Sequence, residues 1–218
     1  MFPLYDKNRS RTRPFVTWAL ITLNGGAFWW ELTQGFNPDL LAFFAVTPIR
    51  VLQGQQLFSL FTSLFLHSSF LHILGNMIYL FIFGDNVEDQ FGHTRYILLY
   101  LLFGVIGGLC HAITAVISGG DEAFIPALGA SGAVSGVLGS YLLFFPRARI
   151  VSLVPSFLFI RVAPVPAWVF IGFWFLLQLL YSGSHSAVAY TAHVGGFLTG
   201  VLVALLLKLT NRVSPDMN

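Results

Sequence analysis

The sequence predicts an all-α polytopic membrane protein, a single domain over residues 1–218 with six transmembrane helices and a long interfacial connection between the first two. Composition is the first ground. Of 218 residues 56% are hydrophobic and 9% charged, so that the 23 Phe outnumber all Lys, Arg, Asp and Glu together. A soluble domain carries roughly 25% charged residues, and a water-facing surface for a globule of this length cannot be made from what is here. Intrinsic disorder fails on the same count. The second ground is six apolar stretches, at 15–31, 66–83, 96–117, 126–145, 165–181 and 187–209, each bounded by charge, Gly or Pro. A helical crossing takes about 20 such residues.

The third ground is where the cations fall. Ser68, Ser69, His67 and His72 dilute the start of the second stretch, which leaves five spans as the alternative to six. Short cytoplasmic loops hold most Lys and Arg. With six spans and the N-terminus inside, Lys7, Arg9, Arg11, Arg13, Arg95, Arg147, Arg149, Arg161, Lys208 and Arg212 all lie inside, and only Arg50 lies outside. Dropping one helix would flip every later loop, so the distribution decides for six. Both termini are then cytoplasmic, as short tails at 1–14 and 210–218. A net charge of +2 is too small to suggest a nucleic-acid partner, and the single cysteine, Cys110, excludes an intramolecular disulfide framework.

Each stretch has its own signature. The first follows a basic segment, yet Phe28, Trp29 and Trp30 stand where a secretory signal would carry small cleavage-site residues, which predicts an uncleaved helix. Residues 32 to about 65 are too apolar for a solvated loop and too interrupted, by Pro38, Asp39, Pro48 and Arg50, for a span. They are expected to lie in the interface as short amphipathic helices. The fifth stretch carries Trp168, Phe170, Phe173, Trp174 and Phe175, whose bulky faces could form a lateral gate with span two. The remaining loops are short, so chemistry is expected inside or at the edge of the bilayer.

Polar groups in hydrocarbon are costly and are functional candidates by default. Three places carry them: His72 and Asn76 in span two, Gly129-Ala-Ser131-Gly132 with Ser135 and Gly136 in span four, and His193 with Gly196 and Gly200 in span six. Even-numbered spans run from outside to inside, which puts all these residues at similar depth in the outer part of the membrane. A serine, a histidine and an amide at one level suit nucleophilic catalysis. Ser131 is the expected nucleophile and His193 the expected base. Asp85, Glu88, Asp89, Asp121 and Glu122 all fall in or beside loops, so the unit is expected to be a Ser–His dyad without a carboxylate. The Asn76 amide, a His72 ring N–H and the Ser131 backbone N–H are the donors available for an oxyanion. Gly132, Gly136, Gly139, Gly196 and Gly200, with Ser135, let the two helices approach. His67 is expected to orient the outer loop and His111 to pack or bond between helices, while His93 and His185 belong to loops without a pattern.

These motifs closely resemble the signatures of the rhomboid family of intramembrane serine proteases: Gly129-x-Ser131-Gly132, Ala192-His193-x-x-Gly196-x-x-x-Gly200 and His72-x-x-x-Asn76. The likeness covers nearly the whole chain and is greatest to the six-helix prokaryotic form, without a seventh helix. It implies Ser131 as nucleophile, His193 as base, and Asn76 with His72 at an oxyanion hole. It also implies a water-filled cavity open to the outer face, single-pass membrane proteins as substrates and a bacterial or archaeal cell membrane as location. No cofactor and no metal are implied, since no His is followed by Glu as in H-E-x-x-H and no span holds paired Asp. Two departures appear. Phe58-Ser59 stands where the family often has Trp-Arg, and Ser135 where some members place a tyrosine against the catalytic ring, so close glycine packing is expected to position His193. The competing classes are a catalytically silent rhomboid-like scaffold, which typically lacks the Ser or the His, and a small transporter, whose polar residues would line a path across the bilayer.

Overall fold

The computed structural model describes residues 1–156, 159–183 and 188–210. His185, Arg212 and the rest of the C-terminal tail lie outside the described residues. In chain order the helices are α1 (Phe15–Thr33), α2 (Pro38–Phe44), α3 (Pro48–Leu52), α4 (Ser59–Thr62), α5 (Phe70–Phe91), α6 (His93–Ser118), α7 (Ser131–Phe144), α8 (Ala167–Tyr181) and α9 (Tyr190–Leu209). By length and composition α5, α6 and α9 are apolar enough to cross a membrane, and α7 and α8 are apolar but shorter, at 14 and 15 residues.

The expectation of an all-α chain is corrected by a three-stranded antiparallel sheet of β1 (Phe2–Asp6), β2 (Arg149–Pro155) and β3 (Ile160–Pro166), in the order β1-β2-β3. Ile150, Val151 and Ser152 at the centre of β2 are buried, while Pro164 and Pro166 sit in β3, an edge strand, where a missing N–H leaves no internal ladder bond unmade. Residues 2–6 are thus a strand rather than a tail, and the fifth apolar stretch starts as strand, its helix beginning at Ala167.

The sheet defines one end of the bundle. Asp6 accepts hydrogen bonds from the Tyr141 hydroxyl at 2.7 Å and the Asn86 amide at 3.0 Å, tying β1 to the last turns of α7 and α5. Helix α5 runs on through Asp85, Glu88 and Asp89, so these acids belong to a helix and not to a loop. The carboxyl group of Glu88, fully buried, accepts from the N–H groups of Val16 and Thr17 at 2.9 and 2.8 Å, from the Thr17 hydroxyl at 2.7 Å, and contacts His93 Nδ1 at 2.6 Å. It supplies the acceptor that the orphan N–H groups at the start of α1 require, since Pro14 offers no capping side chain. At the same end Lys208 of α9 donates to the Leu143 carbonyl of α7. The six longer helices therefore alternate in direction.

Helix α7 is central, buried on every side from Gly132 to Tyr141. Apolar side chains gain nothing from exchanging lipid for protein, so small residues and close packing have to hold such a helix. Gly136 meets the Phe103 ring of α6, Gly139 the Phe197 carbonyl of α9, and Ser140 donates to the Gly200 carbonyl at 3.1 Å. Tyr96, Tyr100, Phe103, Phe83 and Phe170 fill the remaining core.

The long connection folds as the three short helices α2, α3 and α4 followed by a 3-10 turn, Ser63–Phe65. Asn37 caps α2 through the Asp39 and Leu40 N–H groups, with Pro38 in the first turn. Val46, Val51 and Leu60 pack on Val105 and Leu109 of α6. At the entry to α5, the buried Glu31 of α1 accepts the His67 N–H at 3.0 Å. The His67 backbone, rather than its ring, makes this tie.

Candidate active site

At the end opposite the sheet, α7 begins at Ser131 because the residues before it cannot continue a helix. Pro126 lacks an N–H, and Gly129 adopts φ +128°, a conformation open to glycine and strained for other residues. Two segments of the long connection hold this turn. Val46 and Ala127 exchange N–H···O bonds of 2.8 Å in both directions, and the Gly129 N–H donates to the Ser63 carbonyl at 2.9 Å. The Ser131 end of α7 is thereby fixed before any side chain is considered.

Ser131 Oγ lies 2.8 Å from His193 Nε2. The two residues are 62 positions apart, on α7 and α9. Close backbone approach makes the distance possible. A Cβ on Gly196 would meet the Gly132 carbonyl oxygen, and one on Gly200 the Gly136 carbonyl oxygen. Gly132 itself faces Gly107 of α6 and the Ala192 carbonyl, and a Cβ on Gly107 would come within 2.7 Å of that carbonyl. Three helices thus meet at small residues behind the serine, and the contribution of α6, through Gly104 and Gly107, is absent from the motifs singled out in the sequence.

The His193 ring, buried, has Nδ1 2.8 Å from Gln178 Oε1 of α8. Beside the close glycine packing expected to position the ring, a side chain of α8 therefore meets it as well. Trp174, one turn earlier on α8, and Tyr190 flank it with ring centroids 6.1 Å away. Ser135, where a stacking tyrosine was considered, donates its hydroxyl to the Ser131 carbonyl at 2.6 Å.

His72 lies on the other side of Ser131. A Cβ on Gly129 would fall 2.7 Å from His72 Nε2 and 3.7 Å from Ser131 Oγ, so the glycine also makes room for this ring. The ring is held by Ser68 Oγ, 3.2 Å from Nδ1, and its helix is capped by the Ser69 side chain. Asn76 is buried one turn further on and donates to the His72 carbonyl at 3.1 Å. The first N–H groups of α7 have no intrahelical acceptor, and among the described residues no side chain caps them at the serine. Ser131, Gly129 and Gly132 line a cavity of about 40 Å³ together with Ala192 and His111. His111 and Ala127 also border a larger one of about 590 Å³, which reaches Asp121 and Glu122. The smaller volume exceeds the ~10–15 Å³ needed for a water. His111 itself bonds between helices, Nδ1 to Thr191 Oγ1 at 3.2 Å. Helix α8 packs on α5 through Phe170, whose ring lies 6.2 Å from that of Phe83, while Trp168 and Phe173 are exposed.

The arrangement is that of a helical membrane protein with a serine–histidine pair at one level of the bundle, and comparison with known proteins gives the family. Residues 54–209 match the Rhomboid domain, so the chain belongs to the rhomboid family and is an integral membrane protein. It is 32% identical over 155 residues to Rhomboid protein 1, mitochondrial, of Saccharomyces cerevisiae, covering 66% of this chain and 40% of that protein. It is similar to RHOMBOID-like protein 12, mitochondrial, of Arabidopsis thaliana (31% over 195 residues, 83% of this chain and 55% of that one). It is also similar to Rhomboid protease GluP of Bacillus subtilis (28% over 190 residues, 87% and 32%). The chain thus spans about half or less of the length of these relatives.

Proposed function

We propose that the chain is an intramembrane serine endopeptidase that cleaves membrane-protein substrates in or near their transmembrane helices. The observation that carries this reading is the 2.8 Å approach of Ser131 Oγ to His193 Nε2 at the uncapped start of α7. Family membership and the relative named as a protease support it.

In the proposed mechanism His193 Nε2 takes the Ser131 proton as Oγ attacks the scissile carbonyl carbon. The carbonyl oxygen becomes an oxyanion, stabilised by the Ser131 N–H, the Asn76 amide and a His72 ring N–H. His193 then passes the proton to the amine, the C–N bond breaks, and an acyl ester remains on Ser131. A water, deprotonated by His193, attacks the ester; the acid departs and the proton returns to Oγ. The cavity beside Ser131 offers the water a place.

Six crossings with both termini cytoplasmic complete the proposal. Lys7, Arg95, Arg147, Arg149, Arg161 and Lys208 lie in or near elements at the sheet end, whereas Arg50 is in α3 at the Ser131 end. This separation supports the positive-inside orientation, with the candidate site in the outer part of the membrane, and a bacterial or archaeal cell membrane is the proposed location. Single-pass proteins are the proposed substrates. The test is cleavage of a reconstituted single-pass substrate by the wild type and by Ser131→Ala and His193→Ala. Both variants should fold and neither should cleave. A folded wild type that binds helices without cutting any would favour the silent scaffold.

A further inference from the structure

Helix α8 is almost wholly apolar, AWVFIGFWFLLQLLY, and carries one side-chain amide, Gln178. A buried amide inside such a helix is costly unless its polar atoms are paired. Gln178 is paired at both atoms. Its Nε2 donates to the Trp174 carbonyl at 2.9 Å and its Oε1 lies 2.8 Å from His193 Nδ1. The two contacts fix which way the amide faces, because turning it over would set its oxygen against a carbonyl oxygen, acceptor against acceptor.

The consequence reaches Ser131. An amide oxygen only accepts, so the contact at Nδ1 requires that nitrogen to carry the proton of the neutral ring. A neutral imidazole holds one proton, and Nε2 is then left as a bare lone pair, 2.8 Å from the Ser131 hydroxyl. This is the tautomer a general base needs. With the proton on Nε2 instead, the ring would present a donor to the serine and could not take its proton.

We propose that Gln178 is a positioning residue that fixes the tautomer and orientation of His193, standing beside the Ser131–His193 pair as a neutral third member that accepts the Nδ1 hydrogen bond and takes no proton. An amide supplies this acceptor without adding a formal charge to an almost wholly apolar helix. The proposal rests on the reading of Ser131 as nucleophile and His193 as base.

The test uses the full chain in detergent, with Gln178→Met removing the acceptor at similar length and Gln178→Glu keeping one. The rate of Ser131 modification by a small fluorophosphonate reports nucleophile activation without requiring a substrate helix to dock. Gln178→Met should slow it roughly 10- to 100-fold, part of the roughly 10²–10⁴ that general base catalysis supplies. It should lower kcat for a transmembrane substrate in parallel with KM unchanged, and Gln178→Glu should recover most of the loss. In ¹⁵N NMR of labelled histidine, His193 should carry its proton on Nδ1 in the wild type and shift toward Nε2 protonation in Gln178→Met. A wild-type ring protonated on Nε2 would overturn the proposal even if no variant folds. So would an unchanged labelling rate in Gln178→Met, or equal losses in the Met and Glu variants. A wild type that never reacts at Ser131 would instead remove the proteolytic reading, while the NMR still decides what Gln178 does.

Discussion

The carbonyl oxygen of Gly132 sits where a Cβ on Gly196 would have to be. The obstacle is backbone, not the end of a flexible side chain, so the strain of any substitution has to be relieved by moving α7 from α9. That motion separates Ser131 from His193. Overpacking of this kind costs roughly 1–3 kcal/mol, whereas a displacement of about 1 Å at a reacting pair costs on the order of 10² in rate. Gly196→Val is therefore expected to lose most of its turnover with a modest fall in Tm. Gly26→Ala in α1, where nothing lies within 4 Å, should leave both unchanged or slightly improved. Turnover and melting measured together in one detergent check this, and an active Gly196→Val protein would refute the packing argument.

Asn76→Ala removes one of several donors around the developing oxyanion. Its loss is expected to cost roughly 10²–10³ in kcat with KM little changed, and His72→Ala should behave similarly. Full kcat in both variants would mean that the oxyanion is held elsewhere.

Glu88 predicts the opposite profile. Its carboxyl group is the acceptor for Val16 N–H, Thr17 N–H and the Thr17 hydroxyl at the sheet end of the bundle, far from Ser131 along the helices. Removing an acceptor costs about 1–3 kcal/mol for each buried donor left unpaired. Glu88→Ala should lower Tm sharply, with Glu88→Gln between it and wild type, while kcat of the protein that remains folded is preserved. Differential scanning of the three proteins beside a turnover assay reads both quantities.

Asp6 makes stability depend on pH. Burial lifts its carboxyl from 3.8 to about 7, outweighing the hydrogen bonds from Tyr141 and Asn86, which favour the carboxylate, and the charge of Asp85 adds to the rise. The folded chain thus keeps a proton that the unfolded chain gives up between these values. The stability it confers is complete below 3.8 and is lost as pH rises through about 7. Tm is expected to fall between about pH 4 and pH 7 and to level off above, and Asp6→Asn, which keeps an acceptor for Tyr141, should flatten that fall.

What could be read in the sequence follows from where information is local. Ser131, His193, His72 and Asn76 stood out because polar groups are rare in apolar stretches, and equal depth follows from the direction of alternate spans. The spacing from His193 to Gly196 places both on one helical face without tertiary knowledge. The sheet was not legible, because β1 and β2 are joined by pairing across some 140 residues and neither strand exceeds seven. The run of α5 through Asp85, Glu88 and Asp89 was also hidden. Charges at the end of an apolar stretch read as a loop unless the donors waiting on α1 are known. Gln178 had a signal in its being the lone amide of its span, but its meaning depends on how α8 packs against α9. The start of α7 at Ser131, rather than at 126, was available in Pro126 and Gly129.

The central claim is that Ser131 is a nucleophile activated by His193, and intact-mass analysis after treatment with a fluorophosphonate tests it most directly. The wild type should gain a single adduct mapping to Ser131. Ser131→Ala should gain none, and His193→Ala should react far more slowly while keeping its Tm. An adduct that persists in folded Ser131→Ala, or a His193→Ala protein that reacts as fast as wild type, would contradict the account.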